Sequence, residues 1–223
     1  MKYSITHLLS ILIFLFFIAI ASIIGAEEEI TVKPNSVLEL DLSATVKDYA
    51  PKDDNPLAEI LELTDEKLAL NKIINAIENA KTDSNIKGIS IKTPFINAGI
   101  AQTQAIRNKI EEFKESGKFV YAYNDVYSQK NYYLSSVADS LFLNPVGAID
   151  FKGLATEVLY YKDFEDKYGV KMEVIRHGKY KSAVEPYLTN KMSDANREQT
   201  TSLLKSIWSE ITDDISKSRN ITT

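Results

Sequence analysis

NIKGISIKTPFINAGIAQTQAIRNKIEEFKESGKFVYAY, residues 85–123, decides the fold class. Its opening part, Asn85–Lys92, sets Ile86, Ile89 and Ile91 in a short, β-branched run that reads as a strand. Ala105, Ile106, Ile110 and Phe113 then recur at helical spacing, and Gly117 supplies a stop. Phe119–Tyr123 is strand-like again. A helix between two strands carries the chain back so that the second strand runs in the same direction as the first. Parallel pairing through helical crossovers makes this an α/β fold.

Working outward, Asn35–Val46 carries Val37, Leu38, Leu40, Leu42 and Val46, a strand with one largely apolar face. Asp48–Pro56 is polar with two prolines and reads as a loop. Leu70, Ile73, Ile74 and Ile77 follow at helical spacing, with Thr64 or Asp65 available as N-cap. Downstream, Tyr127–Leu134 reads as a helix start after a strand, and Leu141–Leu143 as a short strand closed by Asn144, Pro145 and Gly147. Tyr160–Tyr168 is helical, ending at Gly169, and Lys171–His177 alternates in strand fashion. Ser193 caps a long helix whose stripe of Leu204, Ile207, Trp208, Ile211 and Ile215 is a core or protomer contact. Asn220 resembles the N-cap of another helix, so the 223 residues read as part of a longer protein.

Composition excludes several classes. A net charge of −5 disfavours a nucleic-acid partner, because phosphate binding needs clustered Lys and Arg. The absence of cysteine removes disulfides and thiolate chemistry, and two histidines, His7 and His177, are too few for a histidine-built metal centre. No cofactor or metal is expected. Leu8–Ala26 is nearly all apolar, and at about 1.5 Å per residue it approaches the roughly 30 Å hydrocarbon core. Lys2 before it and Glu27–Glu29 after it put the N-terminus in the cytoplasm and the rest across the membrane. A cleaved signal peptide ending at Ala26 is the rival reading, against which Ile24 occupies a position that wants a small residue. The expected layout is a cytoplasmic start (1–7), a transmembrane anchor (8–26), a linker (27–34) and a domain from 35 to 223.

The stretch with most chemical content is Gly178-Lys179-Tyr180-Lys181-Ser182-Ala183-Val184-Glu185-Pro186-Tyr187. Lys181 can serve as a general base only where desolvation brings its pKa from about 10.4 towards 7–8, and Tyr180, Val184 and Tyr187 are suitable apolar neighbours. Glu185, four residues on, offers the alternative of an ordinary Lys181–Glu185 surface pair. Both readings stand on the residues alone.

The run Tyr180–Tyr187, with Met192-Ser193 and Arg197-Glu198 after it, resembles the lysine motif of signal peptide peptidase A, also called protease IV, a membrane-bound Ser/Lys peptidase. Tyr127-Ser128-Gln129, Tyr132-Tyr133-Leu134, Gly153-Leu154-Ala155-Thr156 and Tyr160-Tyr161-Lys162 match as well. The resemblance makes Lys181 the general base and implies a crotonase/ClpP-like spiral of ββα units, a homo-oligomeric membrane-facing bowl (a tetramer), and signal peptides as substrates. It sets Gln129 where the family's nucleophilic serine stands, with Lys130 and Asn131 in place of glycines, so this chain carries no nucleophile. In the family's long form, the first half holds the lysine and the second the serine; this chain resembles the first. Asn97-Ala98-Gly99 is one glycine short of the family's Gly-Gly at the first βα turn. Ser128 is better suited to capping a helix, and His177 to a structural role than to a Ser–His pair. A non-catalytic peptide-binding scaffold is the competing function, and acyl-CoA chemistry on the same fold a weaker one.

Overall fold

The computed structural model describes His7 and residues 9–16, 31–50 and 67–222, in two units, Met1–Pro34 and Asn35–Thr223. In the first, His7 and residues 9–16 are helical, with large apolar side chains from Leu9 to Phe16 exposed. Among the described residues no helix is long and apolar enough to cross a membrane, and most of the anchor expected over Leu8–Ala26 lies outside them.

In the second unit the expected first strand divides into β1 (Ser36–Leu40) and β2 (Thr45–Lys47). β3 (Lys67–Ala69) follows and pairs parallel to β2. The strand displaces the start of the first helix, α1, to Leu70–Thr82, so Ala69 stands at its N-cap; Thr64 and Asp65 lie outside the described residues. β4 (Ile86–Ile91), α2 (Ile100–Lys114) and β5 (Phe119–Ser128) then form the expected strand–helix–strand unit. α3 (Gln129–Ser135) leads to β6 (Ser140–Asp150). The main sheet has the order β1-β4-β5-β6 and every pairing is parallel.

Ile89, Ile91, Val120 and Ala122 of the sheet pack with Ile73 and Ile77 of α1 and Ile106, Ile110 and Phe113 of α2 in one buried core. Helical spacing of the α1 and α2 residues puts them on one stripe per helix, which is why both lie on the sheet. On the opposite side chains of β5 and β6, Tyr121, Tyr123 and Phe142 are exposed, with Phe119 stacked on Tyr121 at 4.7 Å between ring centroids.

β6 does not stop at Leu143. Pairing passes from Asn124–Leu143 to Val126–Ala148, so β6 accommodates three more residues than β5 across the break and bulges around Pro145. Gly147 is needed there, since a Cβ on it would lie 2.0 Å from the Asp125 carbonyl oxygen. The bulge also absorbs a proline that a regular ladder would reject.

After β6 come α4 (Lys162–Tyr168), ended by Gly169 at φ 68°, a 3₁₀ helix (Ser182–Tyr187) and α5 (Asp194–Arg219). Lys171–His177 forms no strand: alternation alone does not make one, and this segment has no partner strand among the described residues. Ser193 caps α5 as expected, accepting from the Asn196 N–H at 3.2 Å. Asn220, expected to begin a helix, instead ends α5 in the left-handed conformation at φ 52°, its N–H donating to the Ser216 carbonyl. Ile211 and Ile215 of α5 pack on Tyr133 of α3, so the stripe read from the sequence is partly core.

Candidate active site

Lys181 sits at the start of the 3₁₀ helix, after a turn in which Gly178 takes φ 92°. Pro186 inside this helix lacks an N–H, and its carbonyl accepts instead from the Tyr161 N–H at 2.7 Å. The Tyr161 ring stacks on Tyr187 at 5.7 Å, and Asn190 donates to Asp163 at 2.7 Å, so α4 and the chain around it hold the lysine segment from one side. An open cleft of ≈ 510 Å³ lies along the segment, and Ile175, Arg176, Tyr180, Lys181 and Val184 are among its walls. Lys181 is exposed, and so is Tyr180, while Val184 and Tyr187 are half-buried. The described residues therefore do not provide the dry pocket expected from Tyr180, Val184 and Tyr187.

Glu185 is not the surface partner of Lys181. It is 2% exposed and turns to the first turn of α5, accepting from the Ser193 N–H at 3.3 Å, the Ser193 hydroxyl, and Asn196 Nδ2 at 2.9 Å. A carboxylate there also meets the positive end of the helix dipole. Burial pushes the Glu185 carboxyl up, but hydrogen bonds from Ser193 and Asn196 and the charge of Arg176 outweigh it, leaving the group below its ordinary value of 4.5. A lowered folded-state pKa means stability present above the unfolded value and lost as pH falls through the folded one. Urea midpoints should fall as pH drops below about 4.5, and less steeply in Glu185→Gln than in the wild type. Equal slopes would show that Glu185 does not hold this end of α5.

At the other predicted position, Ser128 caps α3, its hydroxyl accepting from the Asn131 N–H at 3.4 Å. Gln129 Oε1 accepts from the consecutive N–H groups of Lys152 (3.2 Å) and Gly153 (2.9 Å). Lys130 Nζ donates to the carbonyls of Ile96 (3.3 Å) and Ala98 (2.6 Å). Asn131 Nδ2 donates to those of Thr93 (2.9 Å) and Pro94 (2.8 Å). Lys130 and Asn131 thus latch the loop between β4 and α2, whose Gly99 is the N-cap of α2. Gln129 does not line the Lys181 cleft; Ser182 and the exposed His177 do. Sequence reading missed the latch and the Arg176–Glu185 contact, since both depend on the fold rather than on local spacing.

The sequence profile of peptidase family S49 matches residues 112–223, which include α3, the lysine segment and α5. The chain belongs to peptidase family S49. Over 154 residues it is 41% identical to Protease 4 of Salmonella typhi, covering 69% of this chain and 25% of that protein. Protease 4 of Haemophilus influenzae is 38% identical over 156 residues, 70% of this chain and 25% of the relative. The chloroplastic serine protease SPPA of Arabidopsis thaliana is 30% identical over 149 residues, 67% and 22% respectively. The matched region of this S49 chain spans about a quarter of the length of these relatives. The family is the one that the lysine motif resembled, and a mixed α/β fold with a parallel sheet agrees with it.

Proposed function

We propose that this S49 chain is the general-base half of a membrane-anchored Ser/Lys endopeptidase that degrades cleaved signal peptides. The observation that carries the reading is Lys181 on an open cleft in an S49 chain, with Gln129 where the resemblance sets the family's serine. In this reading Lys181 takes the proton of a serine hydroxyl supplied from outside the chain and returns it to the leaving amine. The body that brings the serine also covers Lys181 and removes it from water. Ile175, Tyr180 and Val184 give the cleft an apolar wall suited to hydrophobic peptides. Leu8–Ala26 anchors the protein in a bacterial inner membrane with residues 35–223 on the periplasmic side, and the parallel sheet with its small β2–β3 sheet is the first part of a crotonase/ClpP-like spiral. The protein assembles as a homo-oligomer.

A fluorophosphonate probe tests the division of labour. It should label the complete protein and leave the isolated 223-residue chain unlabelled, Ser128 and Ser182 included. Labelling of the isolated chain would place a reactive serine within it and end this reading. The exposure of Lys181 favours the second reading, a peptide-binding scaffold without hydrolysis; absence of labelling and of cleavage in the complete protein would establish that one.

A further inference from the structure

Two charged side chains outside the dyad converge on the lysine segment. Arg176 NH1 donates to the Lys181 carbonyl at 3.4 Å and lies 4.0 Å from Glu185 Oε1. Glu185 in turn is buried against Ser193 and Asn196 at the start of α5. The 3₁₀ helix is thereby tied at one end through Arg176 to the main chain of Lys181, and at the other through Glu185 to a 26-residue helix. A short 3₁₀ helix containing proline has little rigidity of its own, so side-chain ties set where its first residue sits. We propose that Arg176 and Glu185 are a positioning pair for Lys181, fixing the backbone that bears it and balancing the charge around it. This rests on the general-base reading above.

The arrangement has a consequence that mere scaffolding lacks. Arg176 and Glu185 bring opposite charges to the segment, so neutralising one or the other changes the field in which the base works in opposite senses. The other charged or titratable groups around the segment are His177, Lys179, whose Nζ lies 4.8 Å from the Tyr180 ring centroid, and Glu198 of α5, which accepts from the Tyr180 hydroxyl at 3.2 Å. None of them joins Glu185 to the Lys181 main chain as Arg176 does.

The test is the pH dependence of kcat/KM for a hydrophobic peptide, measured on the complete protein. Its acid limb reports deprotonation of the base. Arg176→Gln should move that limb to higher pH and Glu185→Gln to lower pH, each by about half a unit, while Arg176→Lys stays near the wild type. A fold defect reduces the amplitude and does not shift the limb in opposite directions. Limbs that stay put, or move the same way, overturn the pair. Arg176 is exposed, so its variants decide the matter even where Glu185→Gln fails to fold. Lys181→Ala is assayed alongside: full turnover there removes the general-base reading itself, whereas an inactive Lys181→Ala with unmoved limbs removes only the positioning pair.

Discussion

Lys181→Ala in the complete protein should lower kcat/KM for a hydrophobic peptide by roughly 10³-fold or more, about 4 kcal/mol of transition-state stabilisation. The loss belongs to the chemical step, in which the proposed role of Lys181 is to accept the proton of a serine hydroxyl. Lys181→Arg should fall as far. Its guanidinium keeps the charge and reach but does not deprotonate in proteins, which separates proton transfer from simple electrostatic attraction. Folding should be untouched, since Lys181 is exposed and only its carbonyl enters a side-chain hydrogen bond. Urea midpoints of both variants should match the wild type within error. Undiminished turnover in Lys181→Ala would dismiss the lysine as base, and activity retained in Lys181→Arg alone would reduce its role to charge.

The largest effect on stability is expected at Arg107. This arginine is fully buried, and it joins three helices. Its Nε donates to the Tyr133 carbonyl of α3 at 3.1 Å. Its NH2 donates to the Asp214 carbonyl at 2.9 Å and the Ser218 hydroxyl at 2.6 Å, both on α5. The guanidinium lies 5.3 Å from the Tyr133 ring centroid, and the Tyr133 hydroxyl donates to Asp214 at 2.7 Å. Burial, reinforced by the Asp214 acceptor, raises the Tyr133 hydroxyl above its ordinary value and keeps it a donor. Arg107→Ala removes these donors and opens a void between α2, α3 and α5, a loss of about 3–5 kcal/mol. Arg107→Met restores volume without the hydrogen bonds and should recover part of that loss. Urea unfolding of the 223-residue chain measures both. A cost under about 1 kcal/mol for the alanine variant would mean that α5 does not depend on this cluster.

Much of this architecture was open to inspection in the amino-acid order. Ile73 and Ile77, then Ile106, Ile110 and Phe113, announce two amphipathic helices because each turn repeats an apolar side chain, and all five are buried. Ser193 and Gly169 mark helix limits through local chemistry alone: a hydroxyl that accepts an N–H, and a residue free to adopt positive φ. What failed depended on partners distant in the chain. Lys171–His177 alternates yet finds no strand to pair with among the described residues, and β6 resumes beyond Pro145 because β5 extends far enough to meet it. Arg107 carries no local mark of burial, since nothing in its neighbourhood reveals that α3 and α5 supply acceptors.

The site followed the same division. The family was legible through the lysine motif, because a motif is a statement about side-chain type, and the S49 match covers it. The fate of Glu185 was not: its spacing from Lys181 suits a helical pair, but the 3₁₀ segment turns the carboxylate to Ser193 and Asn196. Spacing rules for α-helical neighbours do not carry over to a three-residue turn.

The latch made by Lys130 and Asn131 bears on how such a chain evolves. Exchanging Gln129 for a hydroxyl restores only one atom, while the carbonyls of Thr93, Pro94, Ile96 and Ala98 stay fastened to neighbouring side chains. Returning glycine at either position strands buried acceptors, at a cost of about 1–3 kcal/mol for each that water fails to reach. A serine at position 129 would therefore stand beside a loop still fastened in this way, and in the division of labour proposed above the hydroxyl comes from outside this chain.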